Sequence, residues 1–226
     1  MGTIGVEWVN QYHGRAGDLS NNDDNALGFY NTLSGTRQFQ WGDDWAWDED
    51  FEESGVGAPA AGTDQLYADN VDIVFFSGHG FSYGAFYGIA SHDDGVAIPS
   101  NMRMGNRQCE WLILDACLCL AYNDGRVFDV WRPTFTGLHY ILGFHTTTGD
   151  SGDRGRRFAQ KLNDGMRVRD AWIQACVETE GGGTYWAYLR ADSGGTNTYE
   201  DHWWDKGYVS PDPVPPVTLL YANGPC

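Results

Sequence analysis

Val71-Asp72-Ile73-Val74-Phe75-Phe76-Ser77-Gly78-His79-Gly80 is the stretch on which the fold turns. Its first half is a short, nearly continuous run of β-branched and aromatic side chains. Such a run marks a strand buried on both faces, since a strand with one wet face alternates apolar and polar residues. Ser77 to Gly80 then ends the run in a tight loop. Two runs of the same kind lie further along: Trp111-Leu112-Ile113-Leu114, leading into Asp115-Ala116-Cys117, and Tyr140-Ile141-Leu142-Gly143-Phe144, ending at His145. The segments between them are long enough for crossovers, so the three read as neighbours in a layered α/β sheet.

Around this centre the remaining elements fall into place. Thr3 to Tyr12 reads as a first strand ending in a loop at His13-Gly14-Arg15, and Phe39 to Trp41 as a short second one. A helix is expected after the cap-forming Asn21 to Asn25, carrying Ala26, Leu27, Phe29, Tyr30 and Leu33 and stopped by Gly35. Arg156 to Leu162 and Val168 to Val177 have helical spacing, with Gly165 between them. Tyr185 to Leu189 reads as a last strand. One domain over 1–210 is expected, followed by a Pro-rich tail over 211–226 forming an extended arm or a loose end.

The 226 residues carry 31 Asp and Glu against 14 Lys and Arg, a formal charge of −17. That excess repels nucleic-acid phosphates and anionic membranes, so neither is an expected partner. No run reaches the length of a membrane helix, and Met1-Gly2-Thr3-Ile4-Gly5 lacks a basic region followed by an apolar one. The five cysteines, Cys109, Cys117, Cys119, Cys176 and Cys226, are odd in number and irregularly spaced, which argues against a disulfide framework. A cytoplasmic location is the default reading.

His79 and Cys117 each directly follow an apolar strand. In a parallel sheet such residues gather at the carboxyl rim, where loops converge on ligands. A thiol needs a neighbouring imidazole to generate its nucleophilic thiolate, so this pair has the chemistry of a cysteine nucleophile with a proton-transfer partner. Gly78 and Gly80 let the backbone turn sharply, and the amides of Gly80 and Cys117 are candidates for an oxyanion hole.

Phe75 to Gly80 and Leu112 to Cys117 resemble the two catalytic blocks of caspase-fold cysteine peptidases, the group of caspases, metacaspases, legumains and gingipains. The order, His first, and the interval of 38 residues suit that family. The resemblance implies a three-layer caspase-like fold, a mostly parallel six-stranded sheet with helices on both faces. It also implies Cys117 as nucleophile, His79 as proton shuttle, and Asp115 as an acidic residue in the P1 pocket. Cleavage after Arg or Lys follows as an expectation from Asp115. His145, at the end of the third run, is expected to line the same crevice. Leu118-Cys119-Leu120 departs from the polar or small residue and Gly that commonly follow the family's Cys.

The expected function is therefore a cysteine endopeptidase acting on a peptide or protein. A catalytically silent peptide- or partner-binding module, or a transamidase or ligase using the same pair, are the alternatives. A metal-assisted hydrolase built on His79, Cys117 and nearby carboxylates is a further one. No cofactor is expected; calcium dependence and oligomeric state are left open. His92-Asp93-Asp94, and Asp43-Asp44 with Asp48 and Asp50, hold oxygens suited to a hard cation, but charged turns explain them more simply. Asp43 to Glu53 reads as an acidic surface element with buried indoles at Trp45 and Trp47. Cys119 reads as core, Cys109 and Cys176 as core or partly buried, and the arginines between Asp150 and Arg157 as solvated.

Overall fold

Period-two alternation sorts the side chains of each central strand into two cores, one on each face of the sheet. Ile73 and Phe75 enter one, Val74 and Phe76 the other; Trp111 and Ile113 oppose Leu112 and Leu114 in the same way. The computed structural model describes residues 1–57, 62–82, 86–87 and 95–226. Its main sheet comprises β1 (Thr3–Trp8), β2 (Thr36–Gly42), β3 (Ile73–Ser77), β6 (Trp111–Asp115), β7 (Tyr140–Phe144), β8 (Tyr185–Asp192) and β9 (Thr218–Pro225), in the order β2-β1-β3-β6-β7-β8-β9. The first five are parallel, and β8 and β9 run antiparallel. A separate antiparallel pair joins β4 (Phe86–Tyr87) to β5 (Val96–Ala97).

Three helices cover one face. α1 (Asn22–Thr32), α3 (Arg154–Asn163) and α4 (Val168–Thr179) deliver Phe29, Phe158 and Trp172 into the first core. The stacked pairs Phe29–Phe75 at 4.8 Å and Phe29–Phe158 at 5.6 Å tie helices to sheet. The other face is closed by the short α2 (Arg126–Trp131), with Val127 and Trp131, and by single-turn segments carrying Phe51 and Ala68. The mixed α/β class with helices on both faces is thus what forms, with seven strands where six were expected. The additional strand is β9, from the segment expected as a tail. Its backbone pairs along the whole of β8, from Tyr185 opposite Pro225 to Asp192 opposite Thr218. Proline at 211 to 216 had masked the strand-forming Thr218-Leu219-Leu220-Tyr221 that follows.

The acidic segment inverts its expected burial. Asp48, Glu49, Asp50 and Phe51 are buried, whereas Trp45 is 66% exposed and Trp47 is half-buried. Asp43 accepts from the amides of Asn10 and Gln11, and Asp44 pairs with the ring of His13, so these two carboxylates are occupied as loop ties. His92-Asp93-Asp94 lies outside the described residues.

Other buried carboxylates give stability a pH dependence. Burial pushes the carboxyl of Asp64 up to about 8, reinforced by Glu53 and Asp69, and pushes Asp69 up to about 6 against three backbone amides that favour its anion. Unfolded, both titrate near ~4. Between ~4 and ~8 the folded chain therefore binds more protons than the unfolded one, and stability falls as pH rises through that window. The thermal midpoint is expected to be higher at pH 5 than at pH 8.5, with Asp64→Asn reducing the difference. A midpoint that rises from pH 5 to 8.5 contradicts this.

Candidate active site

The parallel strands end at one rim, and each of β1, β3, β6 and β7 contributes the loop that follows it to a single cleft of about 70 Å³. Leu19, Asn22 and Asn25 come from the segment after β1, Gly78 and His79 from β3, Asp115 and Cys117 from β6, and Thr148 to Ser151 from β7. β1 sits between β2 and β3, so the cleft opens where the strand order reverses, the usual place for a ligand in an open α/β sheet.

Both sequence-predicted groups lie in this cleft, half-buried. The His79 ring is held on two sides and its backbone at a third point. Its Nε2 lies 2.8 Å from the carbonyl of Gly17, the Tyr12 ring packs against it at 4.7 Å between centroids, and the Tyr12 hydroxyl accepts from the His79 amide at 2.7 Å. A carbonyl only accepts, so Nε2 carries a proton and Nδ1 is the nitrogen able to take another. The Cys117 sulfur receives the Thr148 amide at 3.4 Å and faces the Thr148 carbonyl at 3.7 Å. Among the described residues no hydrogen bond joins the ring directly to the sulfur.

A left-handed residue presents the thiol. Leu118 has φ +61°, a conformation costly for a side chain with a Cβ, and is pinned there by its amide donating to the Thr146 carbonyl at 3.0 Å. The chain therefore turns away abruptly after Cys117, and the Leu120 amide then meets the Phe144 carbonyl. Gly80 passes so close that a Cβ there would stand 2.6 Å from the Cys117 carbonyl oxygen and 2.6 Å from the Cys119 sulfur. Cys119 itself is buried and its thiol is pushed far up by desolvation, which leaves it a core residue as expected.

The floor of the cleft is a polar network that the sequence did not disclose. Asn22 donates to the Val9 carbonyl and accepts from Ser77; Asn25 donates to Ser77 at 3.0 Å and to Asp115 at 2.7 Å, and accepts from the Gly155 amide. Arg154, expected in solvent, is 0% exposed: its guanidinium joins Asp115 to Glu180 and stacks over Phe144 at 4.8 Å. Glu180 in turn accepts from the Thr148 hydroxyl and the Gly149 amide, so the network returns to the loop that touches the sulfur. Burial pushes the Asp115 carboxyl up, while Arg154 and Asn25 favour its anion.

Asp115, expected to select basic P1 side chains, is already engaged inside the protein. It lines the cleft with one oxygen bonded to Arg154 and the other to Asn25, so a substrate cation there would share the carboxylate with a buried guanidinium. His145 is not among the cleft-lining residues. Its Nδ1 accepts from the Tyr122 amide and lies 3.1 Å from the Tyr221 hydroxyl of β9, on the side of the antiparallel strands. Among the described residues no group of three or more His, Cys, Asp or Glu side chains is arranged to hold a metal. No helix among them is long and apolar enough to cross a membrane.

A family model described as a domain of unknown function, DUF6345, matches residues 6–224. No curated protein matches the chain. Among solved structures, it is similar to a secreted C11 cysteine protease from Bacteroides thetaiotaomicron, solved by X-ray in complex with an irreversible peptide inhibitor. Identity is 11% and the TM-score 0.45, over 84% of this chain and 66% of that one, so the chain spans just under two thirds of that protease's length.

Proposed function

Since the chain belongs to the DUF6345 family of domains of unknown function, we propose its activity from its cleft: a cysteine hydrolase that cleaves peptide bonds through Cys117 and His79. The observation that carries this reading is that two loops 38 residues apart bring an imidazole and a sulfur into one half-buried cleft at the carboxyl rim. In the proposed cycle, Nδ1 of His79 takes the thiol proton, the sulfur attacks the scissile carbonyl, and the proton passes to the leaving amine. Water then attacks the acyl thioester as His79 takes its proton, and collapse of the tetrahedral intermediate breaks the C–S bond, releasing the acid and returning the proton to the Cys117 sulfur. The amides of Gly80 and Cys117 would hold the oxyanion of each tetrahedral intermediate. An amine in place of water would turn the same thioester into a transamidase product.

The missing contact between ring and sulfur favours a second reading, a silent binding module with an ordinary thiol. Reactivity separates the two. One other thiol competes for electrophiles: Cys226 is half-buried and lowered to about 7 by a hydrogen bond from Cys176. The measurement is therefore made in a Cys226→Ser background, following covalent capture by a peptidyl acyloxymethyl ketone by mass spectrometry. A single adduct on Cys117, absent in Cys117→Ala and slowed at least ~100-fold in His79→Ala, is the expected result. No adduct across a panel of P1 residues, or equal rates with and without His79, would sink the hydrolase reading in favour of the binding module.

A further inference from the structure

At the carboxyl end of β2, two strands away from His79, a second cavity of about 120 Å³ opens between Trp41, Trp45, Trp47 and Tyr67, with Asp50 at its floor. The rings are arranged as walls. Trp45 and Trp47 stack at 6.3 Å with 27° between their planes, and Trp41 meets Tyr67 edge-on at 6.0 Å and 80°. Trp45 keeps 66% of its surface in water, although stable packing would bury so large an apolar group. Beneath the rings the usual order is reversed and the carboxylates lie inside, with Asp50 only 1% exposed.

We propose that Trp41, Trp45, Trp47 and Tyr67 form a cage for a quaternary, fully methylated ammonium group, held over the Asp50 carboxylate. Aromatic faces carry negative potential, and three indoles with one phenol around a small cavity attract a cation far better than a neutral guest. The cavity also discriminates among cations. A primary ammonium brings three N–H donors that need acceptors. Asp50 already accepts from the Thr63 hydroxyl at 2.7 Å. The Trp47 indole N–H is spent on the Asp44 carbonyl at 3.0 Å. A trimethylammonium group has no donor to satisfy, spreads its charge over methyls that fit against ring faces, and is cheap to desolvate. The chain's charge of −17 raises the local concentration of any such cation.

The chemistry could arrive on a free molecule such as choline or on a trimethyl-lysine side chain. The test is an NMR titration of the indole N–H signals of the full chain with choline, with a short trimethyl-lysine peptide, and with 3,3-dimethylbutan-1-ol, the neutral isostere of choline. Saturable shifts centred on Trp41, Trp45 and Trp47 are expected with at least one cationic probe, at least ~10-fold tighter than with the alcohol; the tighter cation identifies the source. Trp45→Ala should weaken that probe by about tenfold while leaving the thermal midpoint nearly unchanged, because the indole is mostly exposed. Asp50→Asn should weaken it as well, and Cys117→Ala should not. Equal affinity for cation and alcohol, no saturation by either cation at concentrations on the order of 100 mM, or full binding by Trp45→Ala overturns the proposal.

Discussion

Arg154→Met is expected to lower the unfolding free energy by about 3–5 kcal/mol, a large share of the ~5–15 kcal/mol that holds a domain folded. The guanidinium is wholly buried and bridges two carboxylates that are themselves almost inaccessible, Asp115 and Glu180, while its Nε donates to Thr179 at 3.1 Å. Removing it leaves two acids near one another without a cation in a medium that screens poorly. The remedy is protonation, which itself costs free energy at neutral pH. Lysine is no substitute, because one ammonium cannot reproduce the planar fork that reaches both acids. Urea unfolding measures the loss. Adding Asp115→Asn to Arg154→Met should recover part of it, since the orphaned charge is then gone. A loss below about 1 kcal/mol would mean the network is not the brace described above.

Gly80→Ala is expected to leave a folded protein whose thiol reacts with peptide electrophiles about 100-fold more slowly. The added methyl would meet the Cys117 carbonyl oxygen and the Cys119 sulfur at 2.6 Å and the Ala116 Cβ at 2.9 Å. Two of those three atoms belong to backbone or a stub of side chain, so relief comes only by moving the loop after β3 away from the loop after β6. That separation moves His79 from Cys117 and opens the gap between the two amides assigned to the oxyanion. Overpacking of this kind costs roughly 1–3 kcal/mol in stability, a modest fall in the thermal midpoint. Wild-type alkylation rates in Gly80→Ala would show that the approach of the two loops has no bearing on reactivity.

How much of this was readable without coordinates follows a physical line. The runs at 73–77, 111–115 and 140–144 announced themselves because a strand buried on both faces has no polar option at any position. His79 and Cys117 were legible as residues placed immediately after such runs. Arg154 was not, because it opens an amphipathic helix among other charges, and its neighbours Arg156 and Arg157 do pair on the surface with Asp153. Only the partners Asp115 and Glu180, 39 and 26 residues distant, turn Arg154 inward. Asn25 was read for its helix-capping value and instead bonds across the core to Asp115 and Gly155. Trp45 and the acids after it were misassigned for a related reason: over Asp43 to Glu53 no period distinguishes the inner face from the outer, so burial there is decided by tertiary packing.

The grip on His79 has an evolutionary side. Its imidazole is oriented by the carbonyl of Gly17, a main-chain atom that every amino acid supplies, and a Cβ at position 17 would meet nothing within 4 Å. Position 17 is thus free to drift through many identities while the tether survives. What the tether requires instead is the length of the segment from Tyr12 to Leu19, whose ends are fixed by the Tyr12 amide on Asp18 and the Leu19 amide on Asn10. Insertions and deletions there, invisible to a residue-by-residue substitution scan, are what would set the histidine loose.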